Sequence, residues 1–264
     1  MKTDQERMGR VAAVLLLLFT AFAAPPAGGE QRPAPSLLPG VGAGDRRVPV
    51  VETEAPWRSL VRVQTNLGGR CTGALVAPAR VVTAAHCLFN ARTRRFLPES
   101  SLHVLFGYAR GTYSRHVLVS AVATDPAYDP AAPRPVLSAD WALLTLAGPA
   151  PAGVPPLALS TAPPAVGTAV MLGGYSQDRA QILMADRDCR ILGMAAGLLA
   201  HDCDATRGTS GGPLLVREGD GRGDDWAVAG VGVAAAREAE RRNFVVPAAR
   251  FAPLLAVPPD AGQP

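Results

Sequence analysis

The feature that most constrains the fold is a long series of short apolar runs, each broken by turn residues. Glycine (27) and proline (25) make up almost a fifth of the 264 residues, which favours turns over long helices. Short apolar runs at fairly regular spacing are typical of strands in a β-barrel or β-sandwich. The predicted strands cover residues 59–65, 73–76, 80–83, 102–106, 116–123, 142–146, 168–172, 190–194, 214–216, 226–233 and 244–246, and a short helix is predicted over 248–255.

Composition and charge narrow the class of protein. Apolar residues make up 48% of the chain, which predicts a folded core rather than disorder. The formal net charge is +4, without a block of basic residues interleaved with aromatic ones. The sequence therefore predicts a mildly basic, solvated surface and no nucleic-acid partner.

The N-terminus has the pattern of a secretory signal peptide. Lys2, Arg7 and Arg10 precede an apolar run over about 11–24 that ends in small residues. The run is shorter than the roughly 20 residues of a membrane span, although an uncleaved anchor is the alternative. We expect residues 1–24 to be removed, leaving a secreted or periplasmic protein without stable membrane insertion.

The residues after the signal peptide fall into three segments that differ in composition. Residues 25–47 are rich in proline, glycine and alanine, and are predicted to be a pro-segment or a linker. The folded domain is predicted over 48–256, with the proline-rich segment 151–166 joining its two halves. Residues 257–264 are predicted to be a disordered tail.

The four cysteines indicate an oxidising compartment and a contribution of disulfides to stability. An even number in an exported chain predicts two disulfides, for which three pairings exist. Joining sequence neighbours is the simplest choice, and each bond would close a loop of about 15 residues, worth about 3 kcal/mol. The alternative is a four-ligand metal site, but the close pairs typical of such sites are absent, and no metal is predicted. The predicted disulfides are Cys71–Cys87 and Cys189–Cys203.

Three segments carry the chemistry. Residues 71–87 end in Thr-Ala-Ala-His86-Cys87, Asp140 lies in Ala-Asp-Trp-Ala-Leu-Leu, and Ser210 lies in Arg-Gly-Thr-Ser-Gly-Gly-Pro. These segments resemble, in the same order along the chain, those around the catalytic residues of trypsin-like (chymotrypsin-fold) serine peptidases. The resemblance covers roughly residues 49–255. It implies an all-β fold of two packed six-stranded antiparallel β-barrels, about 48–150 and 151–256, with a short C-terminal helix.

The residue types suit nucleophilic catalysis independently of the resemblance. A serine hydroxyl needs an adjacent base, and an imidazole titrates in the useful range. A carboxylate fixes the tautomer of the imidazole and stabilises its cation. We therefore expect Ser210 to attack a peptide carbonyl, His86 to transfer the proton and Asp140 to orient His86. The glycines around Ser210 allow a tight turn, and the N–H groups of Gly208 and Ser210 are the predicted oxyanion hole.

The predicted function is a serine endopeptidase that acts on polypeptides through an acyl-enzyme, without a cofactor and as a monomer. The alternative is a non-catalytic binding protein that retains the protease fold. Any one of these residues alone would more often be structural, and only their combination indicates a catalytic triad. The other three histidines, His103, His116 and His201, are predicted to be surface or core residues without a metal role.

The segments 201–210 and 243–246 resemble the bacterial glutamyl-endopeptidase-like branch of this family. Thr209 departs from the trypsin pattern, in which an aspartate before the nucleophile pairs with a newly formed N-terminus. Threonine carries no charge, so cleavage near Arg46 and Arg47 is not expected to act through such an ion pair. Protein beginning at Val48 and protein retaining both arginines should then show similar turnover.

Substrate specificity stays open between three classes. Asp204 lies six residues before Ser210, the spacing of the acidic residue that gives trypsin its preference for basic residues. Gly232 falls where members of the glutamyl branch carry a histidine that binds the substrate carboxylate. Ala234 is expected to line one wall of the pocket. Basic, small or apolar, and acidic substrate residues therefore all remain possible.

Overall fold

A computed structural model of the chain describes residues 38–42, 44–219, 225–235 and 241–256. The predicted signal peptide, the first part of the predicted linker and the predicted tail lie outside the described residues. Within the described part, no helix has the length and hydropathy needed to span a bilayer.

Strands dominate both halves of the chain. The first half contains β1 (Val48–Pro49), β2 (Leu60–Thr65), β3 (Arg70–Ala77), β4 (Arg80–Thr83), β5 (Phe89–Asn90), β6 (Arg95–Phe96), β7 (Leu102–Phe106), β8 (Arg115–Thr124) and β9 (Ala142–Leu146). The second half contains β10 (Ala158–Leu159), β11 (Ala169–Gly174), β12 (Met184–Ala195), β13 (Leu198–His201), β14 (Pro213–Arg217), β15 (Trp226–Ala235), β16 (Asn243–Pro247) and the helix α1 (Ala252–Leu255).

The first barrel closes in the order β2-β3-β4-β9-β8-β7. Its core follows from the two-residue period of the strands, because Val61 and Val63 of β2 are buried among the side chains of the barrel. Arg62 lies between them in sequence, and its guanidinium carbon packs 4.1 Å from the centre of the Tyr108 ring. The alternation therefore separates the barrel interior from a cation–π contact on the other face of β2.

The second barrel closes in the order β12-β11-β14-β15-β16-β13, because β13 also pairs with β12. Strand β1 extends β12, and β10 joins β15 in parallel. The two six-stranded antiparallel barrels and the short C-terminal helix confirm the predicted fold. All eleven predicted strands are present, and apart from the start of β12 their ends differ from the prediction by at most three residues.

Two features of the second barrel were not predicted. Strand β12 begins at Met184, six residues earlier than predicted, and β13 was missed altogether. The two strands form a tight hairpin whose connecting residues, Ala196 and Gly197, both have positive φ. Ala-Gly is a weaker hairpin signal than Asn-Gly or Asp-Gly, so the turn was not recognised from the sequence.

The described part of the predicted linker is packed against the second barrel. Gly42 and Arg46 donate their backbone N–H groups to the Asp204 carboxylate at 2.9 and 2.8 Å. The Arg46 guanidinium also binds the buried carboxylate of Asp186, with Nε 3.0 Å from Oδ2. The side chain of Arg47 is 2% exposed and pairs with Asp45 and Asp178. These contacts make the residues just before β1 part of the folded domain.

We predict that Arg46→Met lowers the free energy of unfolding by about 3 kcal/mol, because it leaves the buried carboxylate of Asp186 without its cation, whereas Asp204 keeps Arg241. Arg115→Met is the control, since Arg115 is exposed on β8, and its effect should be within about 0.5 kcal/mol. Chemical denaturation measures both. Equal stability of Arg46→Met and the native chain would contradict this account.

The same contacts predict that protein beginning at Val48 is less stable than protein beginning at Leu38. This prediction concerns stability, whereas the uncharged Thr209 predicts similar turnover with and without Arg46 and Arg47.

Candidate active site

His86 and Asp140 are brought together by the pairing of β4 with β9. Thr83, the last residue of β4, lies opposite Ala142, the first residue of β9. The chain that leaves β4 and the chain that enters β9 therefore run side by side. His86 follows in a short 3₁₀ turn, and Asp140 ends another one.

Both oxygens of the Asp140 carboxylate accept hydrogen bonds from His86. The backbone N–H of His86 lies 2.9 Å from Oδ1, and its ring Nδ1 lies 2.7 Å from Oδ2. The Asp140 side chain is 2% exposed, whereas that of His86 is 34% exposed. With Nδ1 bound to the carboxylate, the ring presents Nε2 for other contacts. Burial, and then the charge of Asp140, raise the pKa of the neighbouring Tyr128, whose phenol stays neutral beside the carboxylate.

Ser210 lies on a loop of the second barrel that is fastened to the first barrel by Thr72. The N–H of Thr72 donates to the Ser210 carbonyl at 2.9 Å. The Thr72 hydroxyl donates to the Gly208 carbonyl at 2.9 Å. Gly211 has φ +77°, and a Cβ there would lie 2.2 Å from both the Thr72 carbonyl oxygen and the Thr83 hydroxyl oxygen. Only glycine therefore allows this loop to approach β3 and β4 so closely.

The peptide group between Arg207 and Gly208 has a defined orientation. The Arg207 carbonyl accepts the N–H of Gln177 at 2.6 Å. Because the C=O and N–H of a trans peptide point in opposite directions, the Gly208 N–H points away from Gln177. Within the described residues, the N–H groups of Gly208 and Ser210 have no hydrogen-bond partner. Both are available to a ligand.

Gly208 also has a steric role. Its φ is +89°, and a Cβ there would lie 2.4 Å from the Tyr175 carbonyl oxygen. Thr209 is buried, and its hydroxyl oxygen lies 3.2 Å from that of Ser176. A neutral hydroxyl pair therefore occupies the position where the trypsin pattern has an aspartate.

Two of the three predicted triad residues meet at one surface cleft, and the third, Asp140, is buried and bound to His86. His86, Gly208 and Ser210 line the same cleft, at the junction of the two barrels. A second pocket also has Ser210 in its lining. Its lining includes the predicted pocket residues Gly232 and Ala234.

Asp204 has a different position from the one that its spacing suggested. Its side chain is 0% exposed, and it is not among the described residues that line the pocket. Its carboxylate accepts the N–H groups of Gly42 and Arg46 and the Nε–H of Arg241 at 3.0 Å. The structure therefore places Asp204 under the segment before β1, as the centre of a structural ion-pair cluster.

His201, which sequence reasoning treated as a structural residue, lines the pocket instead. It ends β13, the strand that was missed, so no pattern in the sequence pointed toward the pocket. Its Nδ1 accepts the N–H of Cys203 at 3.2 Å. Burial lowers the pKa of His201 to about 4, so the imidazole is neutral at neutral pH.

The other histidines and the cysteines have structural positions. His103 and His116 form a pair on the first barrel, with Nδ1 of His103 2.8 Å from Nε2 of His116. The structure contains both disulfides that the sequence predicts, Cys71–Cys87 and Cys189–Cys203. Among the described residues, one group has metal-ligand spacing, formed by His86 with the sulfurs of Cys71 and Cys87. Those sulfurs are bonded to each other, so they supply no thiolate for a metal.

Comparison with known proteins agrees with the fold. The family model for trypsin matches residues 46–255, so the chain belongs to the trypsin family. A solved structure of a Glu endopeptidase in complex with MPD superposes with a TM-score of 0.69 over 82% of this chain and 97% of that chain, at 20% identity. At this identity the likeness shows a shared fold.

Curated relatives match over shorter regions. Human serine protease 56 is 32% identical over 189 residues, which are 61% of this chain and 30% of that protein. Serine protease 56 of the mouse gives the same identity and coverage over 190 residues. The glutamyl endopeptidase of Bacillus licheniformis is 34% identical over 64 residues, 24% of this chain and 20% of that protein. The match therefore spans less than a third of each of these relatives.

Proposed function

We propose that the chain is an exported serine endopeptidase that hydrolyses polypeptides through an acyl-enzyme, with His86, Asp140 and Ser210 as its catalytic triad. The observation that carries the proposal is the double hydrogen bond between His86 and the buried Asp140 carboxylate. His86 lines a cleft that Ser210 also lines. Membership of the trypsin family also supports a serine endopeptidase.

The first step is attack on the substrate carbonyl by the Ser210 hydroxyl. His86 accepts the hydroxyl proton at Nε2, because Asp140 holds the proton of Nδ1. The buried carboxylate then stabilises the imidazolium, which passes its proton to the leaving amine. Water, activated by the same imidazole, releases the acid from Ser210.

The negative charge that develops on the carbonyl oxygen is stabilised by the N–H groups of Gly208 and Ser210. Their orientation is set before the substrate binds, because the Arg207 carbonyl accepts the N–H of Gln177 and the Thr209 carbonyl accepts the N–H of Gly212 at 2.7 Å. Donors that need no reorganisation contribute most to electrostatic stabilisation. No charged group at Thr209 is required for this arrangement. Cleavage near Arg46 is therefore not needed to form the oxyanion hole.

The two disulfides suit an oxidising compartment, and with the predicted signal peptide they support export to the periplasm or the medium. We propose that the protein acts there as a monomer on polypeptide substrates.

A fluorophosphonate probe tests the nucleophile. The native protein should gain one covalent adduct at Ser210, and Ser210→Ala should gain none, as measured by intact-protein mass spectrometry. Ser120→Ala is the control, because Ser120 is exposed on β8, and it should react at the native rate. A native protein that forms no adduct would favour the non-catalytic binding protein instead.

The oxyanion hole is tested by two glycine substitutions that differ in one respect. Gly208 and Gly153 both have positive φ, +89° and +83°, but a Cβ at Gly153 meets no atom within 4 Å. We expect Gly208→Ala to lower kcat/KM for a peptide substrate by about 10²–10³, because the Tyr175 carbonyl forces the Gly208 N–H out of position. Gly153→Ala, which carries the same backbone strain, should keep nearly full activity. Equal losses in both variants would contradict this role.

A further inference from the structure

The pocket beside Ser210 combines apolar walls with one buried imidazole. Gly232, Val233 and Ala234 form one wall, and Phe244 contributes an aromatic ring. His201 is 1% exposed and lines the same pocket. A buried polar side chain beside apolar pocket walls is a means of selecting one ligand group.

The hydrogen bonds of His201 determine what it offers to that ligand. Nδ1 accepts the N–H of Cys203, so the proton of the neutral ring is on Nε2. Within the described residues, this Nε2–H has no acceptor. Asn243 lies opposite His201 in the pairing of β13 with β16, and its amide nitrogen is occupied by the carbonyls of Gly40 and Cys203. The pocket therefore has an available imidazole donor from His201, while Asn243 donates elsewhere.

We propose that His201 is the residue that determines specificity, and that it donates its Nε2–H to the side-chain carbonyl of a substrate glutamine. The glutamine is the P1 residue, whose backbone carbonyl Ser210 attacks, so the inference rests on the proposed endopeptidase function. The glutamine NH₂ group has a possible acceptor in the hydroxyl of Thr206, which lines the pocket and has no hydrogen-bond partner among the described residues.

Charged P1 residues fit this pocket less well. A lysine or arginine would meet an N–H donor, and the Asp204 carboxylate is already bound by Gly42, Arg46 and Arg241. A glutamate would lose its solvation beside an uncharged imidazole. Arg207 also lines the pocket, but it is exposed, so its attraction for a buried carboxylate is screened by water. Methionine would fill the space of glutamine and leave the Nε2–H of His201 without an acceptor.

The test compares peptides that differ only at P1, with Gln, Met, Glu or Lys. The native protein should cleave the Gln peptide with a kcat/KM about tenfold or more above each of the others at pH 7.5. This series needs no pocket variant, so folding does not complicate it. Equal rates for Gln and Met, or a preference for Glu or Lys, would overturn the proposal.

A variant assigns the preference to His201. In His201→Leu, the ratio of kcat/KM for Gln to that for Met should fall to about one, while Ser210 still reacts with the fluorophosphonate. His201→Asn is the second variant, because its side-chain oxygen can still accept the N–H of Cys203 if the leucine does not fold. His103→Leu is the control, since His103 lies on the first barrel, and it should keep the native ratio. A Gln preference that survives in the His201 variants would overturn the proposal.

Peptide binding to Ser210→Ala distinguishes a failure of the His201 proposal from a failure of the endopeptidase proposal. This variant should bind the Gln peptide with a Kd about tenfold or more below that of the Met peptide, as measured by calorimetry. Selective binding by a native protein that cleaves nothing would refute the enzymatic proposal and support the role of His201. Cleavage without selectivity, in both assays, would refute the role of His201 alone.

Discussion

The contact of Thr72 with the 208–211 loop is the constraint on which the rest of the site depends. Thr72 is fully buried in the first barrel, and it binds the carbonyls of Gly208 and Ser210 in the second. The residue before it, Cys71, is bonded to Cys87, which follows His86. Two adjacent residues of β3 therefore link the nucleophile loop to the loop that carries His86. Because the two halves of the site come from different barrels, their relative position is set by these few buried contacts.

The 208–211 loop is ordered without the aspartate that orders it in the trypsin pattern. A zymogen of that type needs a new N-terminus to order the loop through an ion pair with an aspartate. Here the hydroxyl of Thr209 pairs with that of Ser176, and the carbonyls beside Gly208 are held by Thr72 and Gln177. A cluster of ion pairs and hydrogen bonds lies instead around Asp204 and Asp186, where it binds the segment before β1 to the second barrel. The charges thus stabilise the domain, while neutral hydrogen bonds order the oxyanion loop.

The sequence predicted most of the fold, because the strands alternate and the turns are rich in glycine and proline. It also identified His86, Asp140 and Ser210 as the candidate triad, because their three segments occur together and in one order along the chain. The role of Asp204 was not predictable, because a spacing of six residues from Ser210 does not say which way its carboxylate points. His201 was missed for a related reason. It reaches the pocket through a strand whose Ala-Gly hairpin is a weak signal, and only the closed barrel brings it beside Ser210.

The most direct measurement of the central claim is a crystal structure of the protein with a phosphonate bound covalently to Ser210. The account predicts that the phosphonyl oxygen accepts hydrogen bonds from the N–H groups of Gly208 and Ser210, and that Nε2 of His86 lies within hydrogen-bond distance of the Ser210 oxygen. It also predicts that the Arg207 carbonyl still accepts the N–H of Gln177. A phosphonyl oxygen turned away from Gly208, with His86 out of reach of Ser210, would contradict the account.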